Sequence, residues 1–263
     1  MPRTAVSIII PTYKEAENIP ILTQRLFAAL GNSDIDGELM LVDDDSRDGT
    51  QKAVEELSGA YPVRLITRVG ERGLSSAVVR GFHEAHHDVL LCMDADLSHP
   101  PESVPAVIAP ISENRAEFCI GSRYVRGGTT REDWGLLRRL NSRVATWMAR
   151  PLTTVGDPMA GFFCLRRDVF QRAESAGLNP IGYKIGLEIL IKARCTRIEE
   201  VPIDFSDRLH GASKLTLKQQ AEYVRHLACL YRFRWPIGAP FVLVLVLSAL
   251  AAAVCFAYER LHS

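Results

Sequence analysis

Short apolar runs alternate with longer amphipathic stretches through the first 236 residues of the chain. The apolar runs, bounded by turn formers, read as strands near residues 6–10, 39–42, 63–67, 89–93, 118–120, 162–165 and 198–205. Between them apolar positions recur every three or four residues, which predicts helices near 17–30, 50–57, 75–86, 102–111, 134–149, 168–176, 183–193 and 217–233. This alternation predicts an α/β fold: a mainly parallel sheet with helices on both faces, taking its ligands beyond the C-terminal ends of the strands.

The pattern changes at residue 237. The 22 residues 237–258 carry no charge and are rich in Val, Leu and Ala; as a helix they reach roughly 33 Å, against about 30 Å of hydrocarbon. A helix apolar on every face, with five residues after it, has little protein to bury it and reads as one C-terminal transmembrane helix. Arg225, His226, Arg232 and Arg234 precede it, whereas Glu259, Arg260 and His262 follow, so the large domain is expected on the cytoplasmic side. The expected organisation is a catalytic domain with interfacial helices over 1–236, a single span over 237–258 and a tail over 259–263. One interfacial candidate is 134–149, where Trp134, Leu137, Leu140, Val144, Trp147 and Met148 recur at helical spacing opposite Arg138, Arg139 and Arg143. Six basic residues against three acids from 204 to 234 would add attraction to anionic headgroups.

Charge and composition narrow the classes. With 31 Lys plus Arg against 31 Asp plus Glu the formal charge is zero, which argues against a nucleic-acid binder living on phosphate contacts, and 47% hydrophobic residues argue against a disordered chain. The six cysteines are scattered without a CxxC pair, mostly in apolar runs, and read as buried hydrophobes of a reducing compartment. The N-terminus runs straight into a strand without the features of a secretory signal.

The chemistry lies just after the strands. Pro11-Thr12-Tyr13-Lys14-Glu15 follows the first, Asp43-Asp44-Asp45-Ser46 the second and Asp94-Ala95-Asp96-Leu97-Ser98-His99 the fourth. So many carboxylates at one rim would repel one another, and a bound cation is the economical remedy. Asp94 and Asp96, two apart at a strand end, can both offer oxygens to a hard divalent metal and through it hold a diphosphate. Neither a Walker loop nor GxGxxG follows the first strand. Tyr13 offers a face for a base, and Glu15 and Asp44 offer acceptors for base and ribose.

These blocks, together with Asp48-Gly49-Thr50, Gly73-Leu74, Gly121-Ser122-Arg123-Tyr124 and Asp157-Pro158 with Gly161-Phe162, resemble the inverting glycosyltransferases of family 2. Within that family, Arg208-Leu209-His210-Gly211-Ala212-Ser213-Lys214-Leu215 resembles the signature of dolichyl- and polyprenyl-phosphate mannose synthases. The resemblance implies a GT-A fold that transfers mannose from GDP-mannose to a membrane polyprenyl phosphate, with Mg²⁺ or Mn²⁺. It implies donor contacts at Pro11, Tyr13, Glu15, Val42, Asp44 and Ala95, a metal at Asp94 and Asp96, and phosphate contacts at Arg123, Arg208 and Lys214. Where many members carry Gln two residues after the second aspartate, this chain has Ser98, a shorter ligand.

The reaction also makes physical demands. A phosphate monoester is largely dianionic at pH 7, its second pKa being about 6, so it needs charge screening more than a base. The catalytic set expected is therefore Asp94, Asp96, Arg123 and Arg138, with Arg138 and Arg208 toward the acceptor. Direct attack on an α-linked donor yields a β-linked product. UDP-glucose is the alternative donor. His83-Glu84-Ala85-His86-His87 matches the HExxH of zinc proteases, the alternative of another class, but the strand expected just after it argues against one helical face. Tyr231-Arg232-Phe233-Arg234-Trp235 ends like the QxxRW of processive synthases but carries Tyr where Gln is needed.

Overall fold

The structure is a computed structural model describing residues 3–130, 136–206 and 217–238, with no side-chain description for Thr130, 136–142 and 217–218. The expected span over 237–258, except for Ile237 and Gly238, and the tail over 259–263 lie outside the described residues, as do Trp134, Arg208 and Lys214. No helix among the described residues is long and apolar enough to cross a membrane.

A seven-stranded sheet has the order β3-β2-β1-β4-β7-β5-β8. Its strands are β1 (Thr4–Thr12), β2 (Ile35–Asp43), β3 (Val63–Thr67), β4 (Val89–Cys92), β5 (Phe118–Ser122), β7 (Phe163–Arg166) and β8 (Ile198–Pro202). All neighbours are parallel except β7, which runs antiparallel to both β4 and β5. Two short strands, β6 (Thr129–Thr130) and β9 (Asp204–Phe205), pair separately and in parallel. The single strand expected over 198–205 is thus split after Pro202, where the Ile203 N–H turns to the Ser122 carbonyl at 3.1 Å.

Alternation along the strands sends side chains to two cores. Ile9, Met40, Val42, Leu90 and Phe163 face one; Ile8, Ile10, Leu39, Leu41 and Leu91 face the other. Helices α1 (Asn18–Asn32), α2 (Thr50–Ser58) and α4 (Val104–Ser112) cover the second core. Helices α3 (Leu74–Glu84), α5 (Leu136–Ala149), α6 (Arg167–Ser175), α7 (Ile185–Lys192) and α8 (Leu217–Arg234) cover the first. The two tyrosines of α8 fasten it to α5: Tyr223 donates to Ala145 O at 2.7 Å and Tyr231 to Met148 O at 2.6 Å. Tyr231, the residue that spoils the processive-synthase motif, is fully buried here.

One sequence expectation needs adjustment, and another, that the HExxH string does not share one helical face, holds. On α5, Trp147 is exposed beside Arg143, four residues before it, and Arg150, three residues after it and just past the helix, whereas Met148 is buried, so the tryptophan shares the arginine face. The HExxH string does not lie on one helix: α3 ends at Glu84 and Ala85 is extended. The motif's two histidines lie in different surroundings: His83 on α3 pairs with Glu174 at 2.9 Å, whereas His87, past the end of α3, donates its backbone N–H to the Ser7 hydroxyl at 3.0 Å.

Candidate active site

Strands β1, β2, β4 and β5 point their C-terminal ends to one rim, and β7, running the other way, begins there. The acid loops, Arg123 and the 157–162 loop therefore meet by topology. Pairing of Thr12 with Asp43 joins the first two loops, and the Asp44 N–H donates to Thr12 O at 3.2 Å.

The first loop pair divides its carboxylates between structure and site. Asp43 is buried and occupied: its Oδ2 accepts the Ser46 N–H at 2.9 Å and its Oδ1 the Ser46 hydroxyl at 2.5 Å. Asp45 pairs with Arg47, and that hydrogen bond holds its carboxyl below the usual range. Asp44 is fixed from both sides. Its Oδ1 takes the fork of Arg68, whose side chain is only 2% exposed, and its Oδ2 takes the Gly73 N–H at 2.9 Å. Tyr13 is exposed with the Arg72 guanidinium 4.1 Å above its ring. Glu15 accepts from Asn18 Nδ2 at 2.6 Å at the start of α1. Pro11 lies in β1, half-buried, while the Val42 side chain points into the core, close to where a Cβ on Gly81 would lie. Ala95 is buried in the opposite core, so Val42 and Ala95 reach the rim as backbone.

The second acid loop is built around a strained residue. Leu97 has φ of 63°, a left-handed conformation unfavourable for a leucine, and its buried side chain anchors it. This turn lets Asp96 Oδ1 accept both the Ser98 N–H at 3.1 Å and the Ser98 hydroxyl at 2.6 Å. Ser98 thereby orients the aspartate. The Asp94 N–H donates to His99 Nδ1 at 3.0 Å, which fixes the ring with its lone pair toward the loop. The 3.8 Å from that nitrogen to Asp94 Oδ2 is therefore proximity, not an ion pair. Burial lowers the His99 pKa despite the nearby Asp94 and Asp96 charges, keeping the ring neutral, stacked on Phe162 at 5.3 Å. Asp94 itself has a side chain 32% exposed. It lies so close to Gly161 that a Cβ there would approach Oδ1 to 3.3 Å.

Arg123 follows β5 and is held as a fork: Nε to Asp157 Oδ2 at 2.8 Å and Nη2 to Oδ1 at 2.9 Å. Asp157 is fully buried, and its own N–H and that of Gly156 are held by Glu200 of β8 at 3.0 and 2.7 Å. The guanidinium lies 5.1 Å from the Phe205 ring centre. Arg138 is on α5, but its side chain is outside the described residues.

The rim thus presents a partly exposed Asp94, a buried Asp96, a cation 27 residues after Asp96, and the exposed Tyr13. Sequence reading missed His99, Arg68 and Lys184. Lys184, whose Nζ donates to Met159 O at 2.5 Å, offered one signal: a lysine at the start of a helix works against the helix dipole.

Comparisons agree with this architecture. Residues 7–173 match the model of glycosyl transferase family 2. The chain is 46% identical over 236 residues to a dolichol-phosphate mannosyltransferase of Pyrococcus furiosus, covering 88% of this chain and 65% of that protein. It is 43% identical to one of Mycosarcoma maydis (92% and 84% covered) and 41% identical to one of Saccharomyces cerevisiae (95% and 96%). The fold is similar to glucosyl-3-phosphoglycerate synthase of Mycobacterium tuberculosis, solved with Mn²⁺ and UDP-glucose, at a TM-score of 0.61 and 20% identity over 88% of this chain and 79% of that one. A GT-A-like sheet, acid loops at its C-terminal rim and a family match over most of its length agree: this chain belongs to glycosyl transferase family 2.

Proposed function

We propose that this glycosyltransferase moves mannose from GDP-mannose to the phosphate of a membrane polyprenol, inverting the anomeric centre. The observation that carries the reading is 41–46% identity over 88–95% of the chain to three proteins named dolichol-phosphate mannosyltransferase. The acid loop beside Arg123 supplies the means. Among the described residues no three His, Cys, Asp or Glu side chains cluster as a metal cage. Asp94 and Asp96 are the carboxylates that would hold a Mg²⁺- or Mn²⁺-type ion, which would supply positive charge against the leaving diphosphate.

The chain's own groups do the rest. Tyr13 and Asp44 receive the nucleoside. Asp44 is already committed to Arg68 and Gly73, so its orientation costs nothing further on binding. Arg123, with its fork fixed by Asp157, meets phosphate with a preset guanidinium plane. Arg138, Arg208 and Lys214 complete the screening of the acceptor dianion. A single span over 237–258 with the catalytic domain on the cytoplasmic side would set the rim at the lipid surface, aided by the exposed Trp147 and Arg143.

The experiment gives purified full-length chain radiolabelled GDP-mannose or UDP-glucose with a polyprenyl phosphate and extracts the lipid. Label from GDP-mannose is expected, lost with EDTA and reduced about a hundredfold or more in Asp96→Ala. Label from UDP-glucose alone would replace the donor, and metal-independent transfer would remove the role given to the acid pair.

A further inference from the structure

Lys184 belongs to none of these roles, yet its surroundings are not those of a surface lysine. It occupies the N-cap of α7, where a positive charge opposes the helix dipole, so local helix energetics do not explain it. Its ammonium turns inward and donates to the Met159 carbonyl at 2.5 Å. Met159 sits in the turn from Asp157 to Gly161, closed by the Ala160 N–H on Asp157 O at 3.2 Å. One end of that turn is the buried carboxylate holding Arg123; the other is the glycine packed against the Asp94 carboxylate. Asp94, Asp157 and Arg123 all act electrostatically on the ammonium, whose pKa burial draws down to about 8.

The segment before Lys184 is anchored on the other side of the site. Gly182, with φ of 66°, accepts the Ser75 N–H at 3.3 Å at the start of α3. Two residues earlier, Gly73 donates to Asp44. Lys184 thus stands between the part of the rim that holds Asp44 and the part that holds Asp94 and Arg123.

We infer that Lys184 is a positioning residue of the transfer site: its ammonium holds the 157–161 turn where it backs the Asp94 carboxylate and, through Asp157, aims Arg123. The inference rests on the mannosyl-transfer reading only for its activity readout; a second readout, binding of Mn²⁺ alone followed by loss of the free-ion EPR signal, needs no lipid.

Lys184→Met is expected to lower kcat about 30-fold with the donor KM within about threefold, to weaken Mn²⁺ binding about fivefold, and to leave Tm within a few degrees. Lys184→Arg, which keeps charge and donors, is expected to recover both quantities to within about threefold. Where Lys184→Met does not fold, Lys184→Gln is used with the same expected split. A kcat within about twofold of wild type overturns the inference. So does Mn²⁺ binding that is unchanged or tightened, since tightening is what removal of a merely repelling cation would give. Failure of the wild type to use GDP-mannose would sink the functional reading and leave the Mn²⁺ comparison to decide the role of Lys184.

Discussion

His99 shows how one side chain can set a site without reaching the substrate. Its Nδ1 is the acceptor for the Asp94 N–H, its ring is packed between Phe162 and Phe205, and burial keeps it uncharged. Protonation would turn the acceptor into a donor facing another donor, so the neutral form is built into the loop geometry. His99→Phe preserves the stacking but leaves that N–H without its partner. The expected cost is about 1–3 kcal/mol, a fall in Tm of roughly 2–10 °C read by thermal unfolding, together with a lower kcat as the Asp94 backbone relaxes. An unchanged Tm would show that the hydrogen bond carries no weight. The buried Arg68–Asp44 fork and the Arg123–Asp157 fork follow the same logic, each fixing a group proposed to meet ligand by one that is not.

At the scale of elements, α3 illustrates how close packing transmits position. Gly81 lies where α3 crosses β1, and a Cβ there would come within 2.5 Å of Ile9 Cγ2 and 3.1 Å of Val42 Cγ2. Gly81→Ala gains about 1 kcal/mol of helix propensity but meets two branched side chains of the sheet, and overpacking of this kind costs about 1–3 kcal/mol. A net loss of stability, read as a lower urea midpoint, is expected; a rise would mean that the sheet yields easily. Since α3 begins beside the Gly73 bond to Asp44, a shifted helix should also raise the donor KM. Element positions were largely legible because the core alternation is clean, and the acid loops were legible because such alternation places strand ends on one rim. The start of β2 was not. Asp36, Gly37 and Glu38 read as a polar connection, yet they pair along β1, and Glu38 is buried because Ser7 and His86 supply its donors. The strand at β7 was expected but its antiparallel direction was hidden, and with it the reason Asp157, Gly161 and Lys184 gather at Asp94: a contact made by a returning strand leaves no local spacing to read.

For the molecule as a whole, the rim opposite the site is held by Glu117, just before β5. Its Oε1 accepts the N–H groups of Thr196 and Arg197 at 2.7 and 3.2 Å, and its Oε2 takes Arg172 of α6 at 2.5 Å, so one carboxylate joins three segments. Burial alone would raise its pKa, but the Arg172 hydrogen bond and the two backbone donors overcome that and hold it at about 2. Between the usual carboxylate value, about 4.5, and this one, the unfolded chain binds a proton that the folded chain does not. The stabilisation is therefore complete above about pH 4.5 and disappears as pH falls toward 2, and with the Glu117 side chain only 9% exposed it amounts to on the order of 2–3 kcal/mol. Glu117→Gln should lose about that much at pH 7, with the gap to wild type flat from pH 5 to 8 and closing on acidification, as read by urea unfolding at each pH. Because this carboxylate sits at the far end of the sheet from Asp94, transfer activity per folded molecule at pH 7 should be unchanged. A gap that widened in acid would mean that the proton binds preferentially to the native state, and the three-segment tie would lose its electrostatic basis.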